Sequence, residues 1–171
     1  MKLAILLLAA AVCRCAAPPK DFDANRYKGV WYELARTKNA FFEKGEKVKS
    51  VYRLNSAGGF AAEQSSVQAN GQRHDSLSVL EPVGDLPGHF SFYYPRNRFS
   101  KFLRADYRVI DTDYDNYAII LSKNRFAFWD VDFAWIFTRK AQLPADAVEQ
   151  LFDRLTALTG IKKYELHRTI Q

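Results

Sequence analysis

The side chains best suited to acid–base, nucleophilic or metal chemistry are thinly spread in this chain of 171 residues. His74, His89 and His167 stand singly, with no second histidine or cysteine at zinc-ligand spacing and no companion serine and aspartate pattern. They read as exposed or internally satisfied histidines. Cys13 and Cys15 are the only cysteines, and both fall within the first seventeen residues. Beyond them the chain has neither a thiol nucleophile nor a disulfide. Glu33 follows Trp31 by two in an alternating stretch, so it shares the tryptophan's face, and a carboxylate buried there must be paired or protonated. Arg139 or Tyr117 is its expected partner, which makes Glu33 structural. No catalytic residue, metal or cofactor is assigned, and the expectation is a protein that is not an enzyme.

The elements that must position the remaining side chains are mostly strands. Alternation between turn residues predicts strands over 29–37, 47–55, 60–68, 73–80, 89–94, 102–111, 117–122 and 133–139, with a ninth over 163–169. The connections are short and rich in Gly, Asn, Asp and Pro, so consecutive strands should pair antiparallel, up and down. One helix is predicted over 143–160, with Pro144 at its first position, Asp146 and Glu149 near its positive end and Gly160 as its stop. Its apolar stripe, Val148, Leu151, Phe152, Leu155 and Leu158, should dock on the outside of the sheet. Residues 1–17 carry one lysine and then the apolar run from Leu3 to Val12, which matches a secretory signal and is too short to span a bilayer. The remainder, 18–171, reads as one domain.

The formal net charge is +6, of which Lys2 and Arg14 in the leader carry two units. The other basic residues are spread along the chain, with one denser run, "PRNRFSKFLR", at 95–104. No basic helix and no aromatic RNA-reading motif accompanies them, so nucleic acid is excluded as a partner.

Three short stretches together carry a resemblance. "YKGVWYELAR" places Gly29 two residues before Trp31 in the first strand, "TDYDNY" joins the sixth and seventh strands, and "FAWIFTRK" ends the eighth with Arg139. In this order, with nine strands and a late helix, they resemble the three signatures of the lipocalin family, and in particular its apolipoprotein D and bacterial branch, over roughly residues 20–168. The resemblance implies an all-β fold: an eight-stranded up-and-down antiparallel barrel, open at one end, with a C-terminal helix and a short ninth strand. It also implies that Trp31 lies across the closed end with Arg139 packed against it, braced by Gly29, Thr112, Asp113 and Tyr114. Two departures stand out: many relatives tie the barrel to its C-terminal segment by disulfides, and this chain has no cysteine after Cys15 and no Asn-x-Ser/Thr sequon.

On that fold the ligand wall is expected from the inward sets of several strands: Ala35, Tyr52, Phe90 and Phe92, with Tyr107, Val109 and Trp135. They suit a fatty acid, sterol or other apolar molecule. Two stretches, 39–47 and 95–102, should form the rim, where Phe41, Phe42, Phe99 and Phe102 interleave with Lys44, Lys47, Arg96, Arg98 and Lys101. These aromatics either fold over the cup or dip into a membrane whose anionic headgroups meet the cations. The implied function is a secreted or periplasmic carrier that binds a small hydrophobic ligand reversibly. The alternative is a membrane-associated, lipid-protective lipoprotein or enzyme acting on oxidised lipids, anchored through Cys13 or Cys15.

Overall fold

The structure, a computed structural model, describes residues 18–40, 45–96, 104–125 and 130–171. The leader cysteines and most of the rim residues named above lie outside these segments. Eight strands, β1 (Gly29–Thr37), β2 (Glu46–Leu54), β3 (Phe60–Val67), β4 (Arg73–Pro82), β5 (His89–Tyr93), β6 (Ala105–Thr112), β7 (Tyr117–Arg125) and β8 (Asp130–Thr138), follow one another antiparallel. β8 returns to β1, and β1 pairs with β2, closing the barrel. β6 starts later than the sequence predicts, while β7 and β8 extend further toward their shared turn.

Closure between β1 and β2 is partial. Their register runs only from Gly29 opposite Tyr52 to Tyr32 opposite Lys49. Above this the two strands part, and the chain's C-terminus fills the gap. The predicted ninth strand divides into a 3-10 turn, Lys163–Glu165, and a short strand β9 (Leu166–Arg168). β9 pairs with Ala35, Arg36 and Thr37, while on the other side the N–H of Lys47 donates to the Ile170 carbonyl at 2.7 Å.

Among the described residues three register shifts interrupt the ladders, one of them in β2 between Glu46 and Lys49, and the other two set which side chains of β1 and β6 face inward. In β1 the register slips between Glu33 and Ala35, and in β6 between Val109 and Asp111. At a bulge two residues oppose one, so the alternation resumes out of phase. Ala35 therefore stands opposite Ile136, on the outer side, and Arg36 stands opposite Trp135, on the inner side. The expectation that Ala35 lines the interior fails for this reason.

The helix, α2 (Ala145–Thr159), docks on the outside of the barrel as its stripe predicts. Val148, Leu151 and Leu155 pack with Leu34, Ile110, Ile119, Leu121, Ala134 and Ile136. Pro144 is the residue before the first turn, not its first member, and Gly160 ends the helix with φ +80°. A further short helix, α1 (Ala24–Tyr27), precedes β1 and was not expected. Asp23 starts it by accepting the N–H of Asn25 at 2.8 Å.

Candidate functional site

The closed end is built from three segments. α1 brings Tyr27 under the barrel, fully buried, and its carbonyl accepts the Trp31 indole N–H at 2.8 Å. Trp31, also fully buried, lies beneath the Arg139 guanidinium, whose carbon is 3.7 Å from the ring centroid. Arg139 then donates to the carbonyls of Tyr114 (2.9 Å), Val30 (2.8 Å), Arg26 (2.9 Å) and Lys28 (3.0 Å). One side chain thereby ties the strand entry to the turn between β6 and β7. Gly29 has φ +105°, and a Cβ added there would stand 3.2 Å from Arg139 Nη1.

The turn is braced by its own polar side chains. Thr112 Oγ1 donates to the Tyr117 carbonyl at 2.6 Å and accepts the Tyr114 N–H at 2.9 Å. Asp113 accepts the N–H groups of Asn116 (2.8 Å), Tyr117 (3.0 Å) and Asp115 (3.2 Å). Partial burial pushes its carboxyl up, but these bonds and that of the Asn116 amide hold it below its ordinary value. Tyr114, at φ +68°, accepts the Asp23 N–H on its hydroxyl at 2.9 Å, and so fastens α1 to the turn. Gly29, Trp31, Thr112, Asp113, Tyr114 and Arg139 thus meet in one place.

Above this floor the barrel is packed with rings. Tyr107 bridges two other tyrosines, with hydroxyl separations of 3.0 Å to Tyr27 and 2.9 Å to Tyr52. Burial pushes the Tyr27 and Tyr107 hydroxyls well above the ordinary tyrosine value, so these two act as neutral hydrogen-bonding groups. Phe60 and Phe90 fill the remaining width, 5.4 Å apart at their centroids and edge to face. Of the residues expected to form the ligand wall, Tyr52, Phe90, Tyr107, Val109 and Trp135 belong to the inner cluster, and Phe92 packs against it. Tyr52, Phe90 and Tyr107 lie low, in contact with the floor; Trp135 stands higher, between Phe133 and Phe137 along β8.

Short polar side chains also face inward, at several heights, a feature that aromatic counting misses: Ser50 stands opposite Trp31 and Ser78 level with Ala62 and Tyr52, while Ser66 and Ser122 lie toward the open end. All four serines are buried. Their signal in the sequence is the alternation of serines in "HDSLSVL" and the pair in "EQSSV". Short side chains at inward positions leave room that larger ones would fill.

Glu33 has neither expected partner. Tyr117 donates to Asp111 instead, at 3.0 Å, and Arg139 is held at the floor. The bulge turns Arg36 inward, and its Nη1 donates to Glu33 Oε1 at 2.6 Å with both side chains more than nine-tenths buried. Thr169, behind β9, donates to the same carboxylate oxygen at 2.5 Å and accepts from Arg36 Nη1 at 3.1 Å. No spacing rule in the sequence connects Thr169 to Glu33. Two of the histidines pair with carboxylates: His89 Nε2 is 2.6 Å from Asp106 Oδ1, and His167 Nε2 is 2.7 Å from Glu46 Oε1. His74 is exposed. Among the described residues no group of three or more His, Cys, Asp or Glu side chains could hold a metal ion.

This arrangement has counterparts. The family model described as a lipocalin-like domain matches residues 22–171. Apolipoprotein D of Macaca fascicularis is 31% identical over 152 residues, covering 84% of this chain and 76% of that protein. The crustacyanin-A1 subunit of Homarus gammarus is 29% identical over 130 residues, covering 75% of this chain and 68% of that one. Among solved structures, lobster apocrustacyanin A1 superposes with a TM-score of 0.72 at 25% identity, over 87% of this chain and 79% of that chain. With the family model spanning the whole barrel, its helix and its C-terminal strand, the chain belongs to the lipocalin family.

Proposed function

We propose that this protein is an exported carrier that binds a small, largely apolar molecule reversibly inside its barrel. The observation that carries the reading is an eight-stranded barrel sealed at one end by Trp31 and Arg139, with rings packed on the floor and the short Ser66 and Ser122 facing inward toward the open end. An eight-stranded barrel is wide enough for side chains to fill or for one small ligand to enter. Here the lower half is filled by Tyr27, Tyr52, Phe60 and Phe90, and a ligand would lie above them, beside Ser66 and Ser122. Phe92 and Trp135 would supply its apolar contacts, Val109 lying nearer the closed end than Tyr107, at about 25 cal/mol per Å² of apolar area removed from water. Selectivity among apolar molecules of similar width should then be loose. Export rests on the leader-like residues 1–17.

Native mass spectrometry of protein purified from its source tests the reading directly. A bound small molecule released on denaturation, and an N-terminus beginning after the leader, are expected. Ligand-free protein that also gives no saturable quenching of tryptophan fluorescence by fatty acids, sterols or retinoids would overturn it.

A further inference from the structure

We infer that Arg36 is the polar anchor of the lumen, and that the molecule it holds ends in an uncharged oxygen acceptor such as a ketone, an ester carbonyl or a hydroxyl. The inference rests on the carrier reading above and specifies the chemistry of the ligand's polar end.

Arg36 faces the lumen because the β1 bulge sets it opposite Trp135, a member of the inner cluster. Its side chain is 6% exposed, and its two hydrogen bonds, to Glu33 and Thr169, both leave from Nη1. Nε and Nη2 donate to no protein atom among the described residues. Neither nitrogen is sealed away, since the only enclosed side-chain polar atom without a partner among those residues is Thr156 Oγ1 on α2. Both nitrogens therefore keep some exposed surface, on a side chain that the bulge turns to the inner side of β1. A planar guanidinium presents its donors as a rigid fork, so fixing one nitrogen fixes the direction of the free edge.

The local charge selects the acceptor. Glu33 already neutralises Arg36 at 2.6 Å, and Glu46 adds a second carboxylate beside His167. Burial, followed by the neighbouring Glu46, pushes the Glu33 carboxyl up against the pull of Arg36 and Thr169, so the site already resists negative charge. An incoming carboxylate would add a further anion in a poorly solvated place. A neutral carbonyl or hydroxyl oxygen accepts from Nε or Nη2 without that penalty, and a hydrogen bond to a charged donor is the stronger kind.

The test is displacement of the neutral fluorophore N-phenyl-naphthylamine from the full barrel by three probes of equal chain length: methyl octyl ketone, decane and decanoate. Two variants accompany the wild type. Arg36→Lys keeps a cation against Glu33 but commits its single ammonium to that pair, and Glu33→Gln with Arg36→Met removes both charges. The expected result is that each variant raises the ketone concentration needed for displacement about tenfold, equivalent to about 1.4 kcal/mol, while decane is unchanged and decanoate stays weaker than the ketone on the wild type. Equal shifts for ketone and decane, or no shift for either, overturn the anchor and leave the carrier reading intact. Decanoate binding the wild type more tightly than the ketone, and weakening in both variants, overturns the assignment of a neutral acceptor. If the fluorophore and all three probes fail to bind, the carrier reading falls and the anchor with it.

Discussion

The guanidinium of Arg139 sits with its carbon 3.7 Å from the centroid of the Trp31 ring while its nitrogens donate to backbone carbonyls of Arg26, Lys28, Val30 and Tyr114. The same side chain therefore caps the tryptophan and stitches β1 to the turn before β7. Burial lowers the pKa of Arg139, yet an arginine keeps its charge throughout the useful pH range.

Replacing Arg139 tests how much of the closed end depends on this one group. Arg139→Met keeps some of the stem's contact with Trp31 but removes the charge over the ring and leaves four carbonyls without their donor. A partly exposed cation over a ring contributes about 1 kcal/mol, and hydrogen bonds from a charged donor about 1.5 kcal/mol or more each before repacking and water recover part of the loss. Urea denaturation should show a loss of at least about 3 kcal/mol. Arg139→Lys should recover less than half, because one ammonium cannot reach carbonyls on both segments. A loss below 1 kcal/mol would show that the floor is held by ring packing alone.

Gly29 lies where β1 turns up from the floor, at φ +105°. An L side chain at this angle is strained, and the added methyl would also stand 3.2 Å from Arg139 Nη1. Gly29→Ala should lower stability by at least about 1 kcal/mol in the same denaturation experiment. Combined with Arg139→Met it should cost less than the sum of the two single losses, since the close approach is then relieved.

Much of the strand layout was legible in the sequence for a physical reason, since strands with one face in a core alternate, whereas the closed-end set of Gly29, Trp31 and Arg139 was legible only through the resemblance of three short stretches to the family's signatures. The docking face of α2 followed from its stripe in the same way. Alternation could not report the bulge after Glu33, because an inserted residue carries no compositional mark. Ala35 was therefore expected inside and Arg36 was overlooked, although the two differ by one position. The ligand wall suffered a related error of emphasis. Rings such as Tyr52, Phe90 and Tyr107 are conspicuous, but they pack on one another at the floor. Short inward side chains toward the open end, such as Ser66 and Ser122, draw no attention as single residues.

The Glu33–Arg36 pair should respond asymmetrically to substitution. Burial holds the Glu33 carboxyl above its ordinary value, so the folded state keeps this proton to higher pH than the unfolded state does. Stability contributed by the group therefore falls as pH rises from about 4.3, the ordinary glutamate value, through the folded value, and is constant above it. Glu33→Gln keeps an oxygen acceptor for Arg36 Nη1 but leaves the guanidinium buried without its counter-charge, so it should cost about 2 kcal/mol at neutral pH while flattening this slope. Arg36→Met leaves the carboxylate buried without its counter-charge and should cost about 3 kcal/mol at neutral pH, with the loss shrinking on acidification as Glu33 takes up its proton. Denaturation across about pH 4 to 8 checks both; equal and pH-independent losses for the two variants would contradict the sign.

The C-terminal residues 166–171 make the wall where β1 and β2 part, in a barrel with no cysteine after Cys15. Removing them takes the Thr169 hydroxyl from Glu33, the Ile170 carbonyl from the Lys47 N–H, and the Gln171 amide from the carbonyls of Glu33 (2.6 Å) and Val48 (3.1 Å). It also strips Leu166 from the cluster under α2. At about 1 kcal/mol per hydrogen bond and about 2 kcal/mol for the leucine, the truncated chain should lose on the order of 6 kcal/mol. The loss should be regional. Hydrogen exchange at residues 34–37 and 46–48 should quicken far more than at residues 29–32, where β1 and β2 still pair with each other. Uniform acceleration along β1 would mean that the segment supports the whole barrel and not its upper seam, and unchanged exchange at 34–37 would mean that β1 and β2 can close without it.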